Sequence, residues 1–419
     1  MTVTAGGSSA GPRVGLARVR EDDIGVARAV EAAGGLERLV GSGARVLVKP
    51  NLVAVPPHPR NGAVTWVEVT RAVADLVRDL GGDPVIADSA AVGACTGDVM
   101  AVCGYDALRD AGYRVVDLKA GEEVEVEVPG GLVVKRLVTY RPVVEADVIV
   151  SVPVLKTHDQ LGASLALKNL KGLLADRDKK RLHTVGVVEG ICDLLGVLPP
   201  VYAVVDGSVG QEGLGPVFGR PVPLGVVLAG ADPVAVDTVS GWLMGFEPEE
   251  LPLSRRAAER GLGCGDLASI RVVGEEPSPL RRRFLRAEEG VSLDIPGFRL
   301  VFAPGTCTGC HNTVLSVVAE ITEEGCQDVL RGKMVLAGPV REGALAAPDR
   351  LPPEPGLRVA GPGGRGGDEG RCGRDSSCLV LVGNCAAGHA RGGTWVRGCP
   401  PHNDWVKEAL MSPAPGAGG

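Results

Sequence analysis

The feature that most constrains this fold is a repeated alternation between short apolar runs and amphipathic segments. ARVLVKPNLV (44–53), PVIADS (84–89) and ADVIVSVPVLKTH (146–158) have the composition of buried strands. VTRAVADLVRDLGG (69–82), between the first two, has the pattern of a helix ending in glycine. Strands that alternate with helices form a largely parallel sheet. The sequence therefore predicts an α/β protein.

Two α/β domains of unequal size are predicted. The chain has 419 residues, a length that favours more than one domain. The predicted parts are a first domain over 12–275, a basic connecting helix or linker over 276–295, a smaller second domain over 296–410 with a Gly- and Pro-rich loop or disordered insert at 351–371, and disordered ends at 1–11 and 411–419.

Composition excludes several classes of protein. Hydrophobic residues make up 45% of the chain, enough to bury a large core. A net charge of −7 argues against nonspecific nucleic-acid binding, which relies on excess Lys and Arg. No run approaches the roughly eighteen apolar residues of a membrane span, and MTVTAGGSSAGPR does not have the pattern of a secretory signal. We therefore expect a cytoplasmic protein, in which the 11 cysteines are not a disulfide framework.

Three short cysteine motifs in the last third of the chain predict a metal centre. GTCTGC (305–310) follows one predicted strand, GNCAAG (383–388) follows another, and RGCPP (397–401) precedes the terminal helix. Loops at the carboxyl ends of parallel strands meet at one edge of a sheet. The predicted ligands are Cys307, Cys310, Cys385 and Cys399. The neighbouring glycines and the prolines after Cys399 suit a [4Fe-4S] cluster.

Other interpretations of these cysteines remain open. Four thiolates from separate loops also bind Zn²⁺, and a CxxC pair alone can be a redox dithiol. Cys372 and Cys378 flank the Gly-rich insert and could replace one of the four ligands. Cys326, at a predicted helix end, is expected to serve packing.

The first domain places polar side chains where its predicted strands end. These residues are Lys49, Asn51, Asp88, Lys156, His158 and Asp206, with Asp232 at a strand-to-helix turn. If the strands are parallel, these groups share one cleft at the carboxyl edge. We expect Lys156, His158 and Asp88 to be catalytic candidates in that cleft.

Lysines near this cleft suggest an anionic ligand. Lys168 and Lys171 are three residues apart in SLALKNLKGLL and therefore share a helix face. With Lys49 and Lys156 they could hold a carboxylate or phosphate; the alternative is that Lys168 and Lys171 form a solvated helix face. His183 follows a basic segment that reads as an exposed loop.

Two further observations concern the predicted cleft of the first domain. Glu212 lies in a Gly-rich turn that could be a lid or only a turn. The chain contains no Walker A pattern, and no GxGxxG follows the first strand, so the sequence gives no direct support for a nucleotide cofactor.

The order and spacing of these motifs resemble a known family. VLVKPN, SVPVLKTH, LALKNLKGLL, VVDG and AGADPVAVD, within residues 12–275, are similar to domain of unknown function 362 (DUF362). That resemblance implies an α/β fold and a redox association, because members are often joined to iron–sulfur modules, but it implies no reaction.

The cysteine motifs carry a second resemblance. Residues 296–410 resemble the proximal [4Fe-4S] domain of nickel–iron hydrogenase small subunits, and GCPP is shared with the related cluster subunit of respiratory complex I. This resemblance implies a flavodoxin-like second domain with the four cysteines as ligands. The family usually has an acidic residue shortly after CTGC, where this chain has His311 and Asn312.

Three functions follow as hypotheses. The first is an oxidoreductase in which a [4Fe-4S] cluster receives electrons from a ferredoxin-like donor protein. The cluster passes them to an anionic small molecule or cofactor in the first domain. The second is a non-enzymatic electron-transfer or metallocofactor-assembly protein that acts with a redox partner. The third is a zinc-stapled protein without redox chemistry.

Overall fold

The computed structural model describes most of the chain. The described residues are 11–158, 161–287, 289, 295–303, 306, 308–338, 358–360, 379–384, 386, 394–398, 401 and 403–412. The chain forms two compact units, Met1–Ala287 and Glu288–Gly419.

The first unit is built on alternating strands and helices. Its strands are β1 (Arg13–Arg18), β2 (Arg45–Pro50), β3 (Asp83–Asp88), β4 (Arg114–Asp117), β5 (Glu123–Glu127), β6 (Arg136–Tyr140), β7 (Val148–Val152), β8 (Val154–His158), β9 (Gly162–Ser164), β10 (Val201–Glu212), β11 (Arg220–Val222), β12 (Val226–Gly230) and β13 (Arg271–Gly274). Its α-helices are α1 (Val26–Ala33), α2 (Val67–Asp79), α3 (Thr96–Val102), α4 (Tyr105–Asp110), α5 (Arg141–Val144), α6 (Ala166–Asn169), α7 (Asp176–Val185), α8 (Val187–Leu195), α9 (Pro233–Leu243) and α10 (Pro252–Glu259), with 3-10 turns that include Leu170–Leu173.

One large sheet organises this unit, in the order β13-β1-β12-β10-β7-β2-β3-β4. The pairs β10·β7, β7·β2, β2·β3 and β3·β4 are parallel, whereas β12 runs antiparallel to both β10 and β1. The prediction of a largely parallel α/β sheet is therefore confirmed. The carboxyl ends of β2, β3, β7 and β10 lie at one edge, and that of β12 lies at the opposite edge.

The pattern of apolar residues explains how the sheet and the helices that cover it pack together. β7 is buried at every position, as expected for a central strand covered on two faces. In α2, Val69, Val73 and Val77 recur every four residues and are buried, so one face of the helix packs on the sheet. Asp232 caps α9 through the amides of Val234 and Ala235.

The apolar run at 146–158 forms two strands rather than one. Pro153 has no amide hydrogen to donate to a sheet ladder, and the run divides there into β7 and β8. β8 pairs with the carboxyl half of β10, with Lys156 opposite Gln211, and forms a hairpin with β9. This hairpin carries Lys156 and His158 at the carboxyl edge.

The predicted connecting helix differs from the structure. Residues 281–287 are not helical, and they belong to the first unit. Their backbone groups form hydrogen bonds with other segments of the same unit. The amides of Arg282 and Phe284 donate to the carbonyls of Leu243 and Met244, and the carbonyl of Leu285 accepts from the Gly213 amide. Such bonds replace the local ones that a helix would need.

The second unit contains a smaller, mostly parallel sheet. Its elements are β14 (Arg299–Phe302), α11 (Thr308–Glu323), β15 (Met334–Ala337), β16 (Arg358–Ala360), β17 (Leu379–Val382), β18 (Thr394–Val396) and α12 (Asn403–Met411). The order is β16-β14-β15-β17-β18, and among the described strands of this sheet the β16 pairing alone is antiparallel. β16 lies inside the segment 351–371, where the sequence predicts a loop. Across the described residues, no helix is long and apolar enough to cross a membrane.

Candidate functional site

The carboxyl edge of the large sheet holds a buried ion pair. Lys49 is the next-to-last residue of β2 and Asp88 is the last of β3, and their charged atoms are 2.6 Å apart with both side chains almost fully buried. Asp88 also accepts from the amides of Leu52 and Ser89 at 2.7 and 2.8 Å. Burial lowers the pKa of Lys49, and the Asp88 charge opposes that change. The two strand ends are therefore joined by a neutralised pair.

Asn169, at the end of α6, and Gly172, in the 3-10 turn after it, lie against this ion pair. Lys49 donates to Asn169 Oδ1 at 2.9 Å and to the Pro50 carbonyl at 3.0 Å, so all three of its hydrogens are used. A Cβ atom at Gly172 would lie 2.6 Å from Asp88 Oδ1 and 2.7 Å from Lys49 Nζ. Only glycine fits at that position without displacing the pair.

Lys156 is equally buried but has a different set of partners. Its Nζ donates to Asn51 Oδ1, the Ala63 carbonyl and the Pro216 carbonyl at 2.5, 2.6 and 3.2 Å. Burial, followed by the charge of Lys168, lowers its pKa well below the ordinary value. Three acceptors nevertheless require three donated hydrogens, so this geometry fits the ammonium form. The positive charge of Lys156 is held by neutral oxygens.

His158 lies on the same face of β8 as Lys156, two residues further along. The side chain is 2% exposed. Burial lowers its pKa well below the ordinary value, and Lys168, His183, Lys171 and Lys156 lower it further, in that order. We call His158 and these four residues the basic cluster (Lys156, His158, Lys168, Lys171 and His183). The imidazole is therefore neutral at pH 7.

His183 joins this cluster from α7. The basic segment RDKKRL before His183 is predicted to be an exposed loop, but Asp176–Val185 is a helix. His183 Nε2 lies 2.5 Å from Lys171 Nζ. Burial, with Lys171 and Lys168 adding to it, lowers the pKa of His183 to about 2. The structure thus brings His158 and His183 close enough to act on one another.

Asp206 stabilises the neighbouring loop. Its carboxylate accepts from the Trp66 amide at 2.9 Å and from the amide and hydroxyl of Ser208 at 3.0 and 2.6 Å. Burial raises its pKa, and these bonds oppose the change. Arg60, whose charge also acts on Asp206, stacks 3.6 Å from the centroid of the Trp66 ring. Asp206 reaches the predicted edge, but its bonds hold backbone in place.

Two predicted cleft residues have structural partners, and one of them, Asp232, lies away from the predicted edge. Glu212 accepts from the Leu285 amide at 3.1 Å and lies 3.8 Å from Arg282, so it anchors the segment after β13. Asp232 caps α9 and accepts from the Cys264 amide at 2.8 Å. Because β12 is antiparallel to β10, Asp232 is at the opposite edge of the sheet from Asp88 and Asp206.

Further buried polar residues lie in this unit, and of these Asn169 and Lys179 are absent from the sequence-based prediction, whereas Asp237 is predicted beside Asp232 at the strand-to-helix turn. Asn169 bonds Lys49, and Lys179 on α7 donates to the carbonyls of Ser89 and Ala90 and to Asp176. Asp237 accepts from the amides of Ala166 and Leu167, and burial raises its pKa to about 7. The signal for Asn169 was present, since it stands between Lys168 and Lys171 in a strongly apolar segment.

In the second unit, the cysteine motifs follow β14, β17 and β18 of one parallel array, in which β15 lies between β14 and β17. Of the predicted ligands, Cys310 is buried in the first turns of α11, directly after β14, whereas Cys307, Cys385 and Cys399 lie outside the described residues, as do Cys372 and Cys378. The Asn384 amide donates to the Gly398 carbonyl at 2.8 Å, and Asn384 Oδ1 accepts from the Gly398 amide at 2.8 Å. These paired residues directly precede Cys385 and Cys399 in the sequence.

A metal site is not complete within the described part of the chain. Among those residues, no three His, Cys, Asp or Glu side chains are arranged to hold a metal ion. The prediction of a cysteine-bound metal therefore depends on residues beyond the described ranges.

Comparison with known proteins shows the family to which the first unit is similar. Residues 46–241 match the family model described as Domain of unknown function (DUF362). A relative, the thylakoid-associated protein sll1697 of Synechocystis, is 30% identical over 247 residues, which are 57% of this chain and 74% of that protein. The lactate racemase apoprotein from Thermoanaerobacterium thermosaccharolyticum has a TM-score of 0.40 at 14% identity, covering 79% of this chain and 69% of its own. The structural likeness is too low to carry an argument, but the family match and the relative show that the chain belongs to the DUF362 family.

Proposed function

We propose that this protein is an iron–sulfur-dependent oxidoreductase. Its first unit binds an anionic small molecule or cofactor at the basic cluster, and its second unit holds a [4Fe-4S] cluster through Cys307, Cys310, Cys385 and Cys399. Such a cluster supplies single electrons when bound. A ferredoxin-like protein is the proposed electron donor.

The basic cluster is the observation that carries the ligand assignment. The lysines whose charge acts on His158 are Lys168, Lys171 and Lys156, and His183 beside them is another basic group, with a pKa of about 2. Positive potential inside a protein favours an anionic ligand, because the attraction is stronger there than in water. Lys168 and Lys171 are therefore assigned to binding, Lys156, whose three hydrogens are already donated to protein oxygens, to the positive potential, and the neutral His158 to proton transfer.

Asp88 has a different role from the catalytic one that the sequence suggests. Its oxygens contact Lys49 and the amides of Leu52 and Ser89. These contacts occupy the carboxylate with the fold itself, which favours a structural role over a catalytic one. We assign Asp88 and Lys49 to positioning the loops that follow β2 and β3.

The arrangement of strands in the second unit supports the cluster assignment. β14, β17 and β18 belong to one parallel array, so the segments after them start at the same edge. The two hydrogen bonds between Asn384 and Gly398 join two of these segments one residue before Cys385 and Cys399. Thiolates from such loops bind iron–sulfur clusters and zinc alike, so metal analysis is needed to distinguish them.

Metal and sulfide content test the proposed function. Protein purified without oxygen should contain about four irons and four acid-labile sulfides per chain. Cys399→Ser should lose most of both, whereas Cys326→Ser, whose thiol is partly exposed after α11, should retain them. Zinc without sulfide, or equal iron in Cys399→Ser and wild type, would exclude the redox function.

A further inference from the structure

The hydrogen-bond ladder between β17 and β18 does not continue regularly past Gly383. The Gly383 amide donates to the Val396 carbonyl at 3.0 Å, as expected for two parallel strands. In a regular parallel ladder the Gly383 carbonyl would then accept from the Gly398 amide. That carbonyl instead accepts from the Ala386 amide at 3.1 Å and from Trp395 Nε1 at 3.0 Å. The Gly398 amide therefore needs another acceptor.

Asn384 supplies that acceptor with its side chain. Asn384 Oδ1 accepts from the Gly398 amide at 2.8 Å, and the Asn384 amide donates to the Gly398 carbonyl at 2.8 Å. Gly383 has a φ of 99° and Gly398 a φ of 144°, values that favour glycine because it has no Cβ atom. The main chain therefore leaves the ladder here while Asn384 and Gly398 keep the two segments joined.

The contact between Asn384 and Gly398 limits how far apart the next residues can be. Cys385 follows Asn384, and Cys399 follows Gly398. Hydrogen-bonded main chains lie about 5 Å apart, and consecutive Cα atoms are about 3.8 Å apart. The Cα atoms of the two cysteines are therefore within about 13 Å of one another, whichever direction each chain takes.

Resting on the proposed function, we propose that Asn384 is a positioning residue for the metal centre. Its side chain holds Gly398, and so fixes the separation of Cys385 and Cys399, whose thiolates bind the metal as a pair. Two ligands that the fold already holds together lose less conformational freedom on binding than two separate ones. The same pair would suit a [4Fe-4S] cluster or a zinc ion, since both take thiolate ligands.

A role in folding alone predicts a different result from a positioning role. Asn384 is exposed, so water can replace its side chain as the acceptor for the Gly398 amide. Removal of the side chain should therefore change stability little. Metal binding should change more, because a water molecule does not hold the two segments together. The separation of the cysteines is thus the property to measure.

The first test measures disulfide formation between Cys385 and Cys399 in the full chain after removal of its metal. Oxidised glutathione is the oxidant: its S–S bond breaks, the protein S–S bond forms, and the two thiol protons pass to two reduced glutathiones. Peptide mapping by mass spectrometry follows this bond. Asn384→Ala should form it about tenfold more slowly than wild type. Asn384→Asp keeps an acceptor oxygen at the same place and should form it at nearly the wild-type rate.

Metal content is the second measurement. Asn384→Ala should contain at least about twofold less metal per chain than wild type, and Asn384→Asp should retain it. Asn403→Ala is the matched control, because Asn403 Nδ2 donates to Ser316 Oγ at 2.9 Å in the same unit. If Asn384→Ala fails to fold, hydrogen exchange of the wild-type protein decides: the Gly398 amide should exchange at least about tenfold more slowly than an exposed amide without an acceptor.

The outcomes separate this inference from the proposed function. Wild-type disulfide rate and metal content in Asn384→Ala, or rapid exchange of the Gly398 amide, overturn the inference and leave the proposed function in place. Equal losses in Asn403→Ala overturn it as well, because the effect would then belong to the unit as a whole. Zinc without sulfide overturns the proposed function, whereas loss of that zinc in Asn384→Ala supports the inference. Protein without any metal overturns both.

Discussion

Lys49 and Lys156 are both almost completely buried at the carboxyl edge of the same sheet, and each donates three hydrogens. Lys49 faces a carboxylate 2.6 Å away, whereas the partners of Lys156 are an amide oxygen and two carbonyls. The charge of Lys49 is balanced inside the fold, and that of Lys156 adds to a positive cluster. Burial of a lysine therefore does not identify its role; the charge of its partners does.

Removing Lys49 should produce the largest loss of stability. Lys49→Met leaves Asp88 buried without its cation, which costs about 3–5 kcal/mol. Hydrogen exchange of β2 and β3 amides during urea unfolding measures the loss. Arg255→Met is the control, since Arg255 and Glu259 are 58% and 47% exposed and 4.0 Å apart, and the change should be about 0.5 kcal/mol or less. Equal losses in both variants would mean that the buried pair does not hold the strand ends.

Crowding the same ion pair should cost less. A methyl group at Gly172 meets Asp88 Oδ1 at 2.6 Å and Lys49 Nζ at 2.7 Å, so Gly172→Ala should destabilise the first unit by about 1–3 kcal/mol. Gly196→Ala is the matched control, because its Cβ would be 3.5 Å from the nearest atom and its backbone φ is −66°. Thermal unfolding of both variants measures the difference. A Gly172→Ala protein as stable as wild type would show that the pair has room to move.

The basic cluster should make the protein sensitive to acid. The pKa of His183 is about 2 in the folded protein, against roughly 6.5 in an unfolded chain. Below pH 6.5 the unfolded chain therefore binds a proton that the folded protein does not, and stability falls as the pH decreases. At pH 5 the expected loss is about 2 kcal/mol for this histidine.

His183→Gln tests this by removing that share of the pH dependence. The free energy of unfolding should change less between pH 7 and pH 5 than in the wild-type protein. His58→Gln, at an exposed position in the loop after β2, is the comparison variant. An identical profile in His183→Gln and wild type would mean that the positive charges do not act on this ring.

Much of the edge was predictable because the carboxyl ends of parallel strands meet. Lys49, Asp88 and Lys156 were placed there from apolar runs that end in polar residues. The same reasoning misplaced Asp232, because an apolar strand such as β12 has the same composition in either direction. Strand direction depends on pairing partners, which a local pattern does not specify.

The helix α7 shows a second limit. Its sequence DRDKKRLHTV is strongly polar, yet Asp178, Lys179 and Leu182 are buried. Asp178 accepts from the Val138 amide at 2.6 Å, and Lys179 donates to the carbonyls of Ser89 and Ala90. Such buried polar contacts come from distant segments and leave no apolar periodicity. His183 was therefore assigned to a loop, and its contact with Lys171 was missed.

Replacing Lys156 should have the smallest effect on stability and the clearest effect on binding. Lys156→Met leaves three neutral oxygens without a donor but removes a buried charge from a positive cluster, so the net loss should be about 1 kcal/mol. The affinity of the basic cluster for sulfate, as an anionic probe, should nevertheless fall by about tenfold, because one of three nearby positive charges is gone. Urea unfolding and sulfate titration, run beside Lys49→Met, separate the two roles. If Lys156→Met destabilises as much as Lys49→Met, both lysines serve the fold, and the anion must be sought elsewhere.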